Sequence, residues 1–338
     1  MSGRLVRCDD RAALDTALAA ARAEATPIAF VPTMGALHHG HRALVERAAT
    51  LAPVVVVSIF VNPTQFDAAD DLAAYPRTLD ADLDVLADVA RTRDVTVVAF
   101  VPTVDVIYPD GPAATLHVPD VTDHLCGASR PGHFDGVATV VDALLTAVRP
   151  TVLVMGRKDH QQLVVVGRLL TLRGHPVTLD AAPTVRDDDA VAVSSRNTRL
   201  DASARTLARR IPRALGDAVH EVRGARATGD PVAADAVVAA ARAALTVDGL
   251  TVDYLELVDA ERIVPLAGPL APDGEALLAV AVHVRTGADG SVRLIDNVRL
   301  GDVADEQRLL DALAAAPTDG PADGSGVPRA PRPRAPQG

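Results

Sequence analysis

The chain has 338 residues, 49% of them hydrophobic, which is enough for two ordinary domains with buried cores and excludes a small scaffold held by staples. A formal charge of −11 excludes a general nucleic-acid binder, which needs a basic face, but leaves room for a small positive pocket. Cys8 and Cys126 lie far apart without CxxC spacing, so free thiols are expected instead of a zinc site or a disulfide framework.

The start of the sequence lacks a basic stretch followed by an apolar run, and the longest apolar runs are of strand length. A cytoplasmic chain with no membrane partner is expected. Residues 11 to 24 read as an amphipathic helix, and Pro27 to Val31 as a short strand ending at Pro32. A Gly-punctuated turn from Thr33 to His41 follows, then helical periodicity from Arg42 to Leu51. Pro53 restarts the chain as Val54 to Val61, a nearly unbroken apolar run of the kind a parallel strand covered on both faces requires.

The alternation continues with a helix at 79 to 93, a strand at Val95 to Val101, a helix near 135 to 148, a strand at Val152 to Met155 and a helix from 159 to 172. This pattern predicts a Rossmann-like, doubly wound α/β domain over residues 1–184. From about 185 the pattern changes to helices at 201 to 223 and 231 to 246, then strands at Val252 to Val258, Leu277 to Val284 and Val292 to Asp296. A smaller α+β domain over 185–303 is predicted, followed over 304–338 by a helical end and a tail. Residues 317 to 338 are dominated by Pro, Gly, Ala and Arg and read as disordered.

Ligands of doubly wound sheets sit beyond the carboxyl ends of the strands, where the unusual polar clusters of this sequence fall. His38-x-Gly40-His41 places two imidazoles three residues apart at a helix entrance, where an anion such as phosphate is favoured. Of the 33 basic residues one is lysine, Lys158, within Gly156-Arg157-Lys158-Asp159 after a strand. It offers a compact point charge where every other basic position uses Arg. Gln65 and Gln162 are neutral amides able to donate and accept, which suits a hydroxy acid better than a charge does. Ser194-Ser195-Arg196-Asn197 supplies hydroxyls and a guanidinium suited to a triphosphate. Each cluster also has a plainer use, as a surface turn, a capping amide or a solvated helix start.

The His-x-Gly-His element on a strand-turn-helix resembles the nucleotidyltransferase superfamily. Four further strings narrow the resemblance: Phe30-Val31-Pro32-Thr33-Met34-Gly35-Ala36-Leu37-His38, Ser58-Ile59-Phe60-Val61-Asn62-Pro63-Thr64-Gln65-Phe66, Tyr75-Pro76-Arg77-Thr78 and Ser194-Ser195-Arg196-Asn197. With Arg130-Pro131-Gly132-His133-Phe134 and Leu294-Ile295-Asp296-Asn297, they are similar to the pantothenate synthetase family over residues 5 to 300.

The resemblance implies ATP-dependent joining of pantoate to β-alanine through pantoyl-adenylate, with magnesium and a homodimer. It implies an ATP site made of Met34, Gly35, Ala36, Leu37, His38, His39, Gly40, His41, Gly156, Arg157, Lys158, Asp159, Val185, Val193, Ser194, Ser195 and Arg196. His38, His41 and Lys158 would be the catalytic groups, with His41 as proton donor or, on physical grounds, as a cationic electrostatic contact. Gln65 and Gln162 would hold pantoate. Asp80 and Asp82 are expected on the magnesium side, since Mg²⁺ takes few carboxylates beside phosphate oxygens.

The sequence also departs from the family pattern. Arg157 stands where the family usually has Glu, His160 where it has an aromatic, and Ala190 and Val193 where it has Gly and Met. These departures keep two alternatives open: a catalytically weakened paralogue that binds ATP or pantoate, and a different nucleotidyltransferase. The latter would need more basic residues where Gln65 and Gln162 stand.

Overall fold

A computed structural model describes residues 3–66, 72–73, 75–271, 274–288 and 290–317. The predicted tail therefore lies outside the described residues apart from its first position. Six parallel strands form the first sheet: β1 (Arg4–Cys8), β2 (Ile28–Thr33), β3 (Val54–Ile59), β4 (Thr96–Phe100), β5 (Val152–Gly156) and β6 (Thr178–Ala182), in the order β1-β4-β3-β2-β5-β6. Chain order reverses between β2 and β5, so their carboxyl ends diverge around a crevice.

Alternation along each strand supplies both faces of the sheet. Phe30, Val56, Val98 and Phe100 pack on one side with the Arg11–Ala23, His133–Val148 and His160–Arg173 helices. Ala29, Val31, Val55, Val57 and Ala99 pack on the other with the His39–Leu51 and Leu79–Arg93 helices. These strands are buried on both faces, which is why they read as continuous apolar runs.

The second sheet is antiparallel, with β8 (Ala276–Thr286) between β7 (Leu250–Asp259) and β9 (Gly290–Leu300). Strand β8 joins two cores. Leu278, Val280 and Val282 face the Arg210–Thr228 and Ala234–Leu245 helices, whereas Leu277 and Ala279 face the first domain. The Val303–Ala315 helix closes the unit after β9. The α/β domain and the smaller α+β unit are thus as the sequence predicts.

The structure adds two edge strands that the sequence pattern missed, β1 and β6. It also splits the helix expected over 201 to 223 into Ala202–Ala208 and Arg210–Thr228. Edge strands are short and half solvated, so RLVRC and TLDAA lack the apolar run that marks the inner strands.

Candidate active site

A cavity of about 320 Å³ opens at the β2/β5 divergence and is roofed by β7, β8 and β9. Its lining includes Met34, His38, Gly40, His41, Gln65, Gly156, Lys158, Asp159, Gln162, Val185, Val193, Ser194, Ser195 and Arg196. The structure thus brings together residues that the sequence spreads over more than 160 positions.

The His38–His41 spacing makes a reciprocal cap at the start of the His39–Leu51 helix. His38 Nδ1 accepts from the His41 N–H and His41 Nδ1 accepts from the His38 N–H, each at 3.4 Å. With both Nδ1 lone pairs occupied, each ring keeps its proton on Nε2. The rings stack with centroids 4.0 Å apart. Burial, followed by the Lys158 charge, lowers His38 to about 4, and burial with His38 and Lys158 beside it lowers His41 to about 3. Both imidazoles are therefore neutral donors at neutral pH in the free protein. A Cβ at residue 40 would stand 3.0 Å from the His38 ring and 3.3 Å from Val193, so glycine lets the second wall close over the pair.

Gly35, Ala36, Leu37 and His39, expected to contact the nucleotide, do not line the cavity. Gly35 and Ala36 have φ of +80° and +50°, and the turn they make is pinned from below. Asp82 accepts from the Ala36 N–H at 3.0 Å, the Leu37 N–H at 2.7 Å and the Thr78 hydroxyl at 3.1 Å. It is 1% exposed, and these bonds hold the turn's backbone. Asp80 lies exposed in the first turn of its helix, outside the cavity lining. Exposed His39 pairs with Asp187 at 3.2 Å.

Gln65 sits on the short turn Pro63–Gln65, which the Asn62 amide organises. Asn62 Nδ2 donates to Gln65 Oε1 and to the Gly136 carbonyl, both at 3.1 Å, while its Oδ1 accepts from the Tyr108 hydroxyl at 2.7 Å. The Gln65 carbonyl accepts from Arg130 at 3.2 Å and from His133 Nδ1 at 3.0 Å. Gly136 permits this approach, since a Cβ there would lie 2.3 Å from the Thr64 carbonyl oxygen. Asn62, Arg130 and His133 line the cavity too, although sequence reasoning assigns them no role; they stand inside the strings quoted above.

Lys158 is 18% exposed, with Nζ 3.7 Å from Asp159. Its turn is gripped by the second unit: Asn297 Nδ2 donates to the Lys158 carbonyl at 2.8 Å and to the Arg157 carbonyl at 3.1 Å. The Arg157 guanidinium pairs with Asp302 at 2.8 Å and Asp305 at 3.9 Å and does not line the cavity. His160 lines the cavity edge, and its Nε2 donates to the Ala260 carbonyl at 2.7 Å.

The Val193–Arg196 wall hangs on ion pairs. Arg186, 7% exposed, makes a two-point pair with Asp296, 2% exposed, and donates to the Ala190 carbonyl. Ala190 is fully buried at φ +68°, the left-handed region that favours the glycine usual at this position. Asn197 donates to the Ala192 carbonyl at 3.0 Å, and Arg205 holds Asp187 and Asp189 at 2.6 Å each.

Among the described residues, no helix is long and apolar enough to cross a membrane, and no three His, Cys, Asp or Glu side chains gather as a metal site.

The family model for pantoate-beta-alanine ligase matches residues 7–299. A pantothenate synthetase from Chromohalobacter salexigens is 45% identical over 284 residues, covering 83% of this chain and 93% of its own. The crystal structure of pantothenate synthetase from Thermus thermophilus matches with a TM-score of 0.74 at 39% identity, covering 87% of this chain and 98% of that one. The crystal structure of a Francisella tularensis pantoate-beta-alanine ligase complexed with beta-gamma ATP and beta-alanine matches with a TM-score of 0.65 at 28% identity, covering 87% and 97%. With its switch-point cavity, its capped histidine pair and these matches together, the chain belongs to the pantoate-beta-alanine ligase family.

Proposed function

We propose that the chain condenses pantoate with β-alanine at this cavity, by way of pantoyl-adenylate. A carboxylate oxygen of pantoate attacks the α-phosphorus of ATP and pyrophosphate departs. The β-alanine amine then attacks the acyl carbon of the adenylate, AMP leaves with the bonding pair, and the amine loses a proton to give the amide.

The convergence of two Nε2–H imidazoles, the sole ammonium and the Ser194–Arg196 segment on one cavity, with Gln65 and Gln162 beside them, is the observation that carries this reading. Neutral imidazoles donate hydrogen bonds to phosphate oxygens without the desolvation cost of a buried charge. Lys158 supplies the formal positive charge as negative charge builds on the leaving pyrophosphate. Gln65, its carbonyl fixed by Arg130 and His133 and its side chain by Asn62, presents an amide to the hydroxy acid.

Among the described residues the cavity carboxylates are few: Asp159 at the Lys158 turn, and Asp296, already committed to Arg186. That sparse set fits a magnesium ion carried in mainly by phosphate oxygens. Homodimer assembly and a cytoplasmic location belong to this proposal as well; sedimentation velocity tests the former.

Pantoate-dependent exchange of pyrophosphate into ATP, followed by AMP release on adding β-alanine, is the deciding measurement. ATP binding without exchange would instead identify a weakened paralogue. That alternative rests on Arg157, whose side chain points at Asp302 and away from the cavity.

A further inference from the structure

We infer that Arg157 is a positioning residue, whose pairing with the amino end of the Val303–Ala315 helix holds the Lys158 turn against the second unit. The inference rests on the proposed role of Lys158. The turn leaves β5, in the first domain, but its restraints come from elsewhere. Asn297 of β9 holds the carbonyls of residues 157 and 158, and Ala260, just after β7, accepts from His160. Arg157 completes the set through Asp302 and Asp305.

Asp302 serves two purposes at once. Its Oδ1 caps the Val303–Ala315 helix through the Ala304 and Asp305 N–H groups, each at 3.1 Å, while its Oδ2 takes the Arg157 guanidinium. Two carboxylates at a helix amino end form a sink for one cation. Arg157 and Asp302 are 22% and 18% exposed, so solvent screens the pair less than it would on an open surface. A glutamate at 157 would face both carboxylates and push the turn away. Arg157→Glu should therefore harm this chain, the reverse of what a defective Arg157 would give.

The test is a double-mutant cycle on the full chain with Arg157→Met and Asp302→Asn, the latter keeping an oxygen for the helix cap. Thermal midpoint, ATP KM and kcat for AMP formation are followed, and Arg157→Lys and Arg157→Glu are measured beside them. Expected are a roughly tenfold fall in kcat for either single variant, a double variant no worse than the singles, and an ATP KM within about threefold of wild type. Arg157→Lys should recover part of the loss, and Arg157→Glu should lose most. Wild-type kcat in Arg157→Met, additive losses in the cycle, or a gain in Arg157→Glu would overturn the inference. Lys158→Ala separates the two levels: if it turns over normally, the role of Lys158 fails, whereas an inactive Lys158→Ala beside a normal Arg157→Met condemns only the latch.

Discussion

The His38–His41 wall and the Val193–Arg196 wall face each other across one cavity but are fixed by different physics. The first is held mostly within its own segment, by a strand end and a reciprocal cap between residues three apart, with one carboxylate, Asp82, pinning its turn from another helix. The second hangs on a partner distant in sequence, Arg186 with Asp296, in a segment between the two sheets. Local restraints set the first wall whatever the second does. The second wall depends on how the C-terminal sheet sits, so it is the one able to move on ligand binding.

Lys158, where the walls meet, should give the largest effect. Lys158→Ala is expected to lower kcat by roughly a hundredfold or more, about 3 kcal/mol, with the thermal midpoint near wild type. Turnover at the wild-type rate would show that the meeting point of the walls is not where the charge acts. Gln65→Ala tests the Pro63–Gln65 turn, which belongs to neither wall. It should raise the pantoate KM by about tenfold and leave ATP binding unchanged, as loss of one well-held amide predicts; a change in ATP affinity instead would move Gln65 to the nucleotide side.

The histidine pair gives the first wall a pH signature. The folded imidazoles titrate at about 4 and about 3 against an ordinary 6.5, so between those values the unfolded chain binds protons that the folded chain refuses. Stability from this source is complete above pH 6.5 and falls as pH drops through 4 and 3. Urea midpoints from about pH 7 to about pH 4 should decline less steeply in His41→Asn, which can still cap the helix. Parallel slopes in the two proteins would contradict burial as the cause.

Ala190→Gly probes the second wall and should have the smallest effect. Relief of the left-handed backbone, about 1 kcal/mol, is set against loss of a buried methyl, about 0.8 kcal/mol, and a looser chain. The net change in stability should stay within about 1 kcal/mol, read from denaturation midpoints. A larger shift would mean that the wall tolerates no adjustment there.

The same contrast explains what can be read from the sequence. The inner strands, the turn at residue 40, the sole lysine and both glutamines carry local signals: apolar runs, glycine punctuation and a rare residue type. Residues 34 to 41 read as one binding segment, yet a strand-turn-helix string does not tell which side chains face inward. The pinning by Asp82 decides that from another helix. Arg157 likewise reads as a companion of its neighbour Lys158, although its partner lies 145 residues away. Long-range pairs of common charged residues leave no pattern in one sequence.

Gly136, in the first turn of the His133–Val148 helix, packs against the Pro63–Gln65 turn, where the Thr64 carbonyl fills the space that a methyl group would need. The depth at which Gln65 sits is thus gauged by a missing carbon. Any larger residue at 136 would lift the amide into the cavity and narrow the room left for the acid. The His133–Val148 helix would thus bear on the acid twice, through the side chains it turns to the cavity and through the carbon it lacks.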